Sequence, residues 1–287
     1  MVALAVITVV ALGLSGAFSG SSAPAARASA PAKPAGGNAR AAGGHGISAQ
    51  TAAAAQADAA AWIASQVGSD AIVACDPAMC SALQARGVSA GRLQPLGSGS
   101  ASPAGANIVV SSPAGGQLAS QYAPAMIASF GAGATEIDVR AAEPGGAATY
   151  QSALKSDLAA RQSAGTQLLR NKRIQFTAQD AAELRAGEVD SRVLATLAAL
   201  SAQYSFRVAS FGDASPGVQL LFRQLTVTGR VGGNSSAELS SILALVNAQR
   251  PPYLPAQAAI TGQAAVQIEF AAPSPLGLLT AVLTSAS

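Results

Sequence analysis

The sequence predicts a parallel α/β domain followed by a mixed α+β domain, set behind an N-terminal apolar segment and a flexible tether. Three observations predict it. Between residues 57 and 145, short apolar runs alternate with helix-length segments, the pattern of βαβ units. From residue 146 to about 275, a long helical periodicity gives way to helices and strands in mixed order. Ahead of both, an uncharged apolar run from Val2 to Phe18 leads into a stretch of Ala, Pro, Gly and Ser with almost nothing bulky to bury. At 287 residues the chain has room for two domains, since one takes about 100 to 200.

The opening MVALAVITVVALGLSGAF lies between two targeting devices. A spanning helix needs about 20 apolar residues and at least about 17; a secretory h-region takes about 7 to 15. Residues 1–18 therefore read as a transmembrane signal-anchor or as a signal peptide, with a cleavage-like Ala26-Arg27-Ala28 downstream, and a buried core helix is the third reading. No Lys or Arg precedes the run, and a start displaced downstream of the true one accounts for that. The first two readings imply export: a single-pass protein whose C-terminal region lies outside the plasma membrane or, alternatively, a secreted one. Residues 19–56 read as a disordered Ala/Pro/Gly/Ser tether, because such a segment cannot offset its ordering entropy. The chain's only histidine, His45, falls in it.

Structure is expected to begin near Ala57, where Trp62, Ile63 and Val67 share a helical face and Gly68 provides a stop. DAIVACD has the length of a buried strand and ends at Asp76-Pro77. PAMCSALQARG reads as a helix with Pro77 at its first position and Gly87 past its end. After a Gly/Ser/Pro loop comes a second buried strand, ANIVVSS; then a helix broken near Pro124 that runs into a third strand; then TEIDVRAA, which alternates and pairs with it. Strands spaced this way make a small Rossmann-like parallel-sheet domain. The succession WIASQV, DAIVACD, LQARG, ANIVVSS and, most specifically, Ile127 to Arg140 resembles the extracytoplasmic domain that follows the membrane region of many glycosyltransferase-like proteins from high-GC bacteria. The multi-span catalytic membrane region of that family is absent, so the resemblance implies fold and location and carries no transferase activity.

In the second half, residues 146–172 read as a helix, Ile174 to Phe176 as a short strand, and TAQDAAELRAGEVD as a helix with Thr177 as N-cap. SRVLATLAALSAQ is an apolar helix capped by Asp190 or Ser191. Strands follow at SFRVASFG, LLFRQLTVTG and VQIEFAAP, with a helix at SAELSSILALVNAQRP between the last two, and residues 276–287 form a tail.

Charge and residue usage exclude several chemistries. Charged residues are 11% of the chain against about 25% in ordinary domains, and the formal charge of +3 lacks the Lys/Arg density of a nucleic-acid footprint. With His45 in the tether, neither domain can assemble a Ser-His-Asp or Cys-His arrangement or a His-rich zinc site. The Gly-rich stretches Gly97 to Gly105 and FGAGA lack the spacing of phosphate loops. No cofactor or metal is implied. Cys75 and Cys80 sit at a strand-to-helix junction, where an exported chain would join them in a disulfide; two unpaired core thiols are the alternative.

Carboxylate chemistry stays formally open. Asp190 reads as a cap, Glu183 and Glu188 as a polar helix face, and Asp138 as the exposed side of an alternating strand; Asp180 and Glu269 complete the candidates. Asp76 and Asp213 are the two ligand-binding candidates, Asp76 because it follows a presumed parallel strand, where open α/β sheets place ligands. Arg161, Arg170, Lys172 and Arg173 form a basic cluster that could dock anionic lipid or wall polymer, or be a solvated charge run.

Gln167 to Leu200 followed by SFRVASFG, FRQLTVTG and AVQIEF resembles a degenerate relative of the zinc DD-peptidase and hedgehog-type fold. There the last two strands carry an Asp and an H-x-H pair; here the matching positions are Thr226, Ala265 and Gln267, so the resemblance implies a pseudoenzyme scaffold. The expected function is a non-catalytic, membrane-tethered binding or assembly protein of the bacterial cell envelope. Its partners would be the plasma membrane through the N-terminal helix and a cell-wall polymer, a lipid-linked sugar or another envelope protein. A carboxylate-based envelope hydrolase or glycosyltransferase-associated enzyme and a secreted structural protein are the alternatives.

Overall fold

The structure, a computed structural model, describes residues 44–96, 103, 105–112, 121–213, 215–218, 221–229, 236–262 and 264–279, with side chains from residue 49 onward. The apolar run at 1–18 and the tether as far as residue 43 lie outside the described residues. No helix among the described residues is long and apolar enough to cross a membrane. Those residues belong to one compact unit of mixed α/β content, in which two five-stranded mixed sheets each carry an apolar core.

Helix α1 spans Gly44–Gln66, so regular structure starts inside the segment read as tether. A segment without bulky side chains can still be ordered when it is rich in alanine. Alanine is the best helix former, and α1 packs by close approach: Ala55, Ala59 and Ala60 are buried against the first sheet. A Cβ at Gly131, whose φ is +76°, would meet the Ala55 Cβ at 3.0 Å.

The first sheet comprises β1 (Val73–Cys75), β2 (Leu93–Pro95), β3 (Ile108–Ser111), β4 (Ala125–Phe130) and β5 (Ile137–Ala141), in the order β2-β1-β3-β5-β4. β2, β1 and β3 are parallel, whereas β5 runs antiparallel to both β3 and β4. The sheet is therefore mixed, with a parallel portion confined to three strands. β2 falls in the expected loop because two half-buried residues and an exposed proline show no alternation, and proline is tolerated at a sheet edge. Much of the helix expected ahead of Pro124 lies outside the described residues. Helix α2 (Pro77–Ala85) follows β1; the Asp76 Oδ1 accepts the Met79 N–H at 2.8 Å, Pro77 opens the helix, and Gly87 leaves it at φ 88°. From β1 the chain goes to one side to build β2 and then crosses to the other side for β3. The carboxyl ends of β1 and β3 thus form a topological switch point.

The second half begins with α3 (Gly146–Leu169) and continues through β6 (Ile174–Gln175), α4 (Ala178–Ala186), α5 (Ser191–Gln203), β7 (Phe206–Gly212), β8 (Gln224–Gly229), α6 (Ser236–Asn247), β9 (Gln257–Thr261) and β10 (Ala265–Glu269). Its sheet has the order β6-β7-β8-β10-β9, with β6 parallel to β7 and the remaining pairs antiparallel. Thr177 and Asp180 form a capping box at α4, and Asp190 caps α5. α3 and α4 touch at Gly165, where a Cβ would lie 2.4 Å from the Leu184 carbonyl oxygen. β9 escaped sequence reading because nearly all of it is exposed, as an edge strand can be, so burial imposes no alternation on it. The inward faces of β7, β8 and β10 bury Phe206, Val208, Leu225, Val227, Val266 and Ile268 against α5 and α6.

Candidate functional site

Charged residues are few, yet several of them are buried in the second half, among them Asp157, Arg161, Asp190, Arg192 and Arg223. They hold a strap, Phe270 to Gly277, that leaves β10 and passes the first sheet. Arg223 Nη1 donates to the Phe270 carbonyl at 2.7 Å, and Arg192 Nη2 donates to that of Ala271 at 2.9 Å. The Ala272 N–H reaches the last residue of α1, donating to Gln66 O at 2.7 Å. The Ser274 hydroxyl donates to Asp190, and the Gly277 N–H donates to Asp157 Oδ1 at 2.9 Å.

Each of these charges is paired. Asp157 Oδ2 accepts from Arg161 Nε at 2.7 Å, and Arg161 also donates to the Gly187 carbonyl. Asp190 takes Arg192 in a two-pronged pair at 3.0 and 2.7 Å. Burial alone would raise the Asp190 carboxyl, but the hydrogen bonds and charge of Arg192, with Ser274, outweigh it and hold the group below its ordinary range. Arg223 Nη2 meets Asp213 Oδ1 at 3.2 Å and Ser215 Oγ at 3.2 Å; burial pushes the guanidinium down while Asp213 pulls it up.

Between the strap, α3 and the β4–β5 face lies a cleft of about 820 Å³. Its walls are apolar: Ile127 from β4, Leu154 and Leu158 from α3, Phe222 ahead of β8, and Pro275 and Leu276 from the strap. Glu143, Tyr150, Arg161, Glu188 and Ser274 supply the polar groups. The Arg161 guanidinium and the Ser274 hydroxyl are already engaged, which leaves the Glu143 and Glu188 carboxylates and the Tyr150 phenol among the polar lining side chains. Burial and then the Glu143 carboxylate hold the Tyr150 phenol above its ordinary value, and it is a hydroxyl donor at neutral pH. Volume, apolar walls and a few polar anchors are the usual makeup of a small-molecule site.

The sequence candidates are scattered. Asp76 caps α2 and lines a separate cavity of about 160 Å³ at the switch point. Asp213 sits in the Arg223 network, away from the groups lining either cavity. Cys75 and Cys80 are joined by a disulfide with their Cα atoms 5.4 Å apart. Arg170, Lys172 and Arg173 are exposed around the α3–β6 turn, whereas Arg161 is 2% exposed in its pair with Asp157 and presents no charge to that surface. Asp138, expected on an exposed face, is half-buried and paired with Arg140 at 3.1 Å. Asp180 closes its capping box.

The cleft residues Glu143, Tyr150 and Leu158 were not candidates in the sequence. No local spacing marks them, because β4, α3 and the strap converge only through the tertiary fold. Thr226 and Gln267 are direct partners across β8 and β10, and with Ala265 they share the sheet face opposite the core. No protein-family model, curated protein or solved structure matches the chain.

Proposed function

We propose that this chain is a non-catalytic binding or assembly protein of the bacterial cell envelope, tethered to the outer face of the plasma membrane by its N-terminal segment. The strap cleft would hold an uncharged, hydroxyl-bearing amphiphile, such as the sugar end of a glycolipid. The observation that supports this reading best is the cleft itself. Its walls are apolar, its arginine is neutralised by Asp157, and Glu143 and Glu188 are acceptors suited to sugar hydroxyls. An anionic ligand would meet two carboxylates and no open cation among the lining residues.

The first half is read as the extracytoplasmic, Rossmann-like domain type and the second as a zinc-peptidase-like scaffold without its metal. The second reading draws support from Thr226 and Gln267 facing each other at the positions where that family carries ligands. The test is a calorimetric titration of the full chain, held in amphipol, with octyl β-glucoside and with octyl phosphate. Saturable binding of the glucoside, abolished by Leu158→Arg at the cleft rim and absent for the phosphate, is expected. Equal or tighter binding of the phosphate overturns the ligand class.

A carboxylate-based envelope hydrolase is the second reading, because Asp76 and Glu136 line one cavity. Release of reducing ends from wall glycan, lost in Glu136→Gln, would favour it over a binding protein.

A further inference from the structure

We propose that β9 is a dimerisation edge, on which a second copy of this chain pairs its own β9 antiparallel and joins the two copies of the second sheet into one. An open sheet edge invites another strand through its unpaired backbone groups, and proteins block it with shortness, proline, a bulge or a cover. Among the described strands, three edges are blocked in this way. β2 has three residues and ends in Pro95; β4 shifts register between Met126 and Ala128, and its Ser129 N–H is taken by the Pro216 carbonyl at 3.0 Å; β6 has two residues. β9, the remaining edge, has none of these devices. Its five residues pair with β10 in unbroken register and include no proline and no charge.

The ladder shows which groups are free. The Phe270 N–H donates to the Arg223 carbonyl at 3.1 Å, so even-numbered residues of β10 turn their backbone groups to β8 and odd-numbered ones to β9. Gln267 therefore bonds to Ala259 and Glu269 to Gln257, and Ala258 and Ile260 turn their N–H and C=O groups to the open side. The side chains of these two residues lie on the core face, opposite buried Ile268 and Val266. Ile260 is nevertheless 38% exposed, and Leu254, three residues ahead of β9, is 44% exposed. Apart from Leu158 at the strap cleft, these are the exposed large hydrophobic side chains among the described residues.

A twofold axis through Ala259 satisfies all the free groups. Ala258 of each copy then forms a hydrogen-bonded pair with Ile260 of the other, each residue donating once and accepting once. On the core face Ile260 packs against Ala258 of the second copy; on the opposite face Gln257 meets Thr261, an amide against a hydroxyl. No like charges confront each other, because β9 has none and α6, which packs over it, carries only Glu238. A strand whose sequence is its own complement in this register favours a second copy, since one patch serves both sides of the interface.

The test is disulfide trapping in the full chain in amphipol. Cys75 and Cys80 are bonded to each other, so an introduced cysteine is the only free thiol. Ala259→Cys should link into a covalent dimer on mild oxidation, because directly opposed Cβ atoms lie about 4.5–5.5 Å apart. Gln257→Cys should not, because its two copies would be about 13 Å apart along the ladder. Ala258→Pro removes a free N–H and no ladder bond, so an edge strand tolerates it; added to Ala259→Cys, it should abolish linking while circular dichroism stays that of wild type. Ile260→Lys, an edge-blocking charge, should do the same and stands in if the proline variant does not fold. No dimer from Ala259→Cys, equal linking from Gln257→Cys, or linking that persists in the folded edge variants overturns the proposal.

Discussion

Arg192 and Asp190 form a buried two-pronged ion pair at the start of α5, and the same guanidinium lies 5.1 Å from the centre of the Phe270 ring while donating to the Ala271 carbonyl. One side chain thus ties a helix cap to the strap that walls the cleft. Arg192 and Ala271 are 79 positions apart in sequence.

Removing the charge of Asp190 should destabilise the fold strongly. Asp190→Asn keeps a capping side chain but leaves Arg192 buried without its counter-charge, a loss of about 3–5 kcal/mol. The folded-state pKa of Asp190 lies below its unfolded value. Its stabilisation is therefore complete above the unfolded pKa of about 3.9 and is lost as pH falls through the folded value. Urea unfolding measured from pH 7 down to pH 3 should show wild-type stability falling below about pH 4, and falling less steeply in Asp190→Asn. Equal slopes would remove the pair from the account.

Gly165→Ala should cost about 1–3 kcal/mol through overpacking, since the added Cβ would sit 2.4 Å from the Leu184 carbonyl oxygen. Because Gly165 lies inside a helix, alanine would otherwise be the better residue there. A stabilised variant in thermal unfolding would mean that α3 and α4 do not pack this closely.

The disulfide closes a short loop, for which chain-entropy arguments give about 2 kcal/mol. A Cys75→Ala, Cys80→Ala double variant should lose about that much. Unreduced, denatured wild type should show no free thiol. Two reactive thiols in the exported protein would contradict the bridge.

Thr226, Ala265 and Gln267 offer no imidazole or carboxylate at the strand positions where the zinc-peptidase resemblance would require them. Equilibrium dialysis against zinc, read by metal analysis, should leave the full chain without stoichiometric metal, and muropeptides incubated with it should stay intact. Zinc-dependent cleavage would reverse the pseudoenzyme reading.

Legibility from sequence tracked how local each cause is. Thr177, Asp190, and Pro77 with Gly87 announce helix ends because capping acts within three or four residues, and all are found there. Long apolar runs such as ANIVV betrayed buried strands. β2 and β9 are not legible because short or exposed edge strands leave no periodic trace, and α1 starts earlier than composition predicts because alanine packing resembles tether composition. Asp76 could be placed at a strand's carboxyl end by counting alone, but its neighbours Ser111 and Glu136 could not. The strap network was invisible for the same reason: Asp157 meets Gly277 across 120 residues and Arg223 meets Gln66 across 157. Arg161 looked like part of a basic surface run until Asp157, one helical turn away, was seen to bury it.

The central claim, that the cleft between α3 and the strap receives a neutral amphiphile, is tested most directly by hydrogen–deuterium exchange of the full chain with and without octyl β-glucoside. The account predicts slowed exchange in Tyr150–Arg161 and Phe270–Gly277, and no such change in Leu158→Arg. Exchange unchanged in both segments at saturating glucoside, or protection confined to another face, would contradict it.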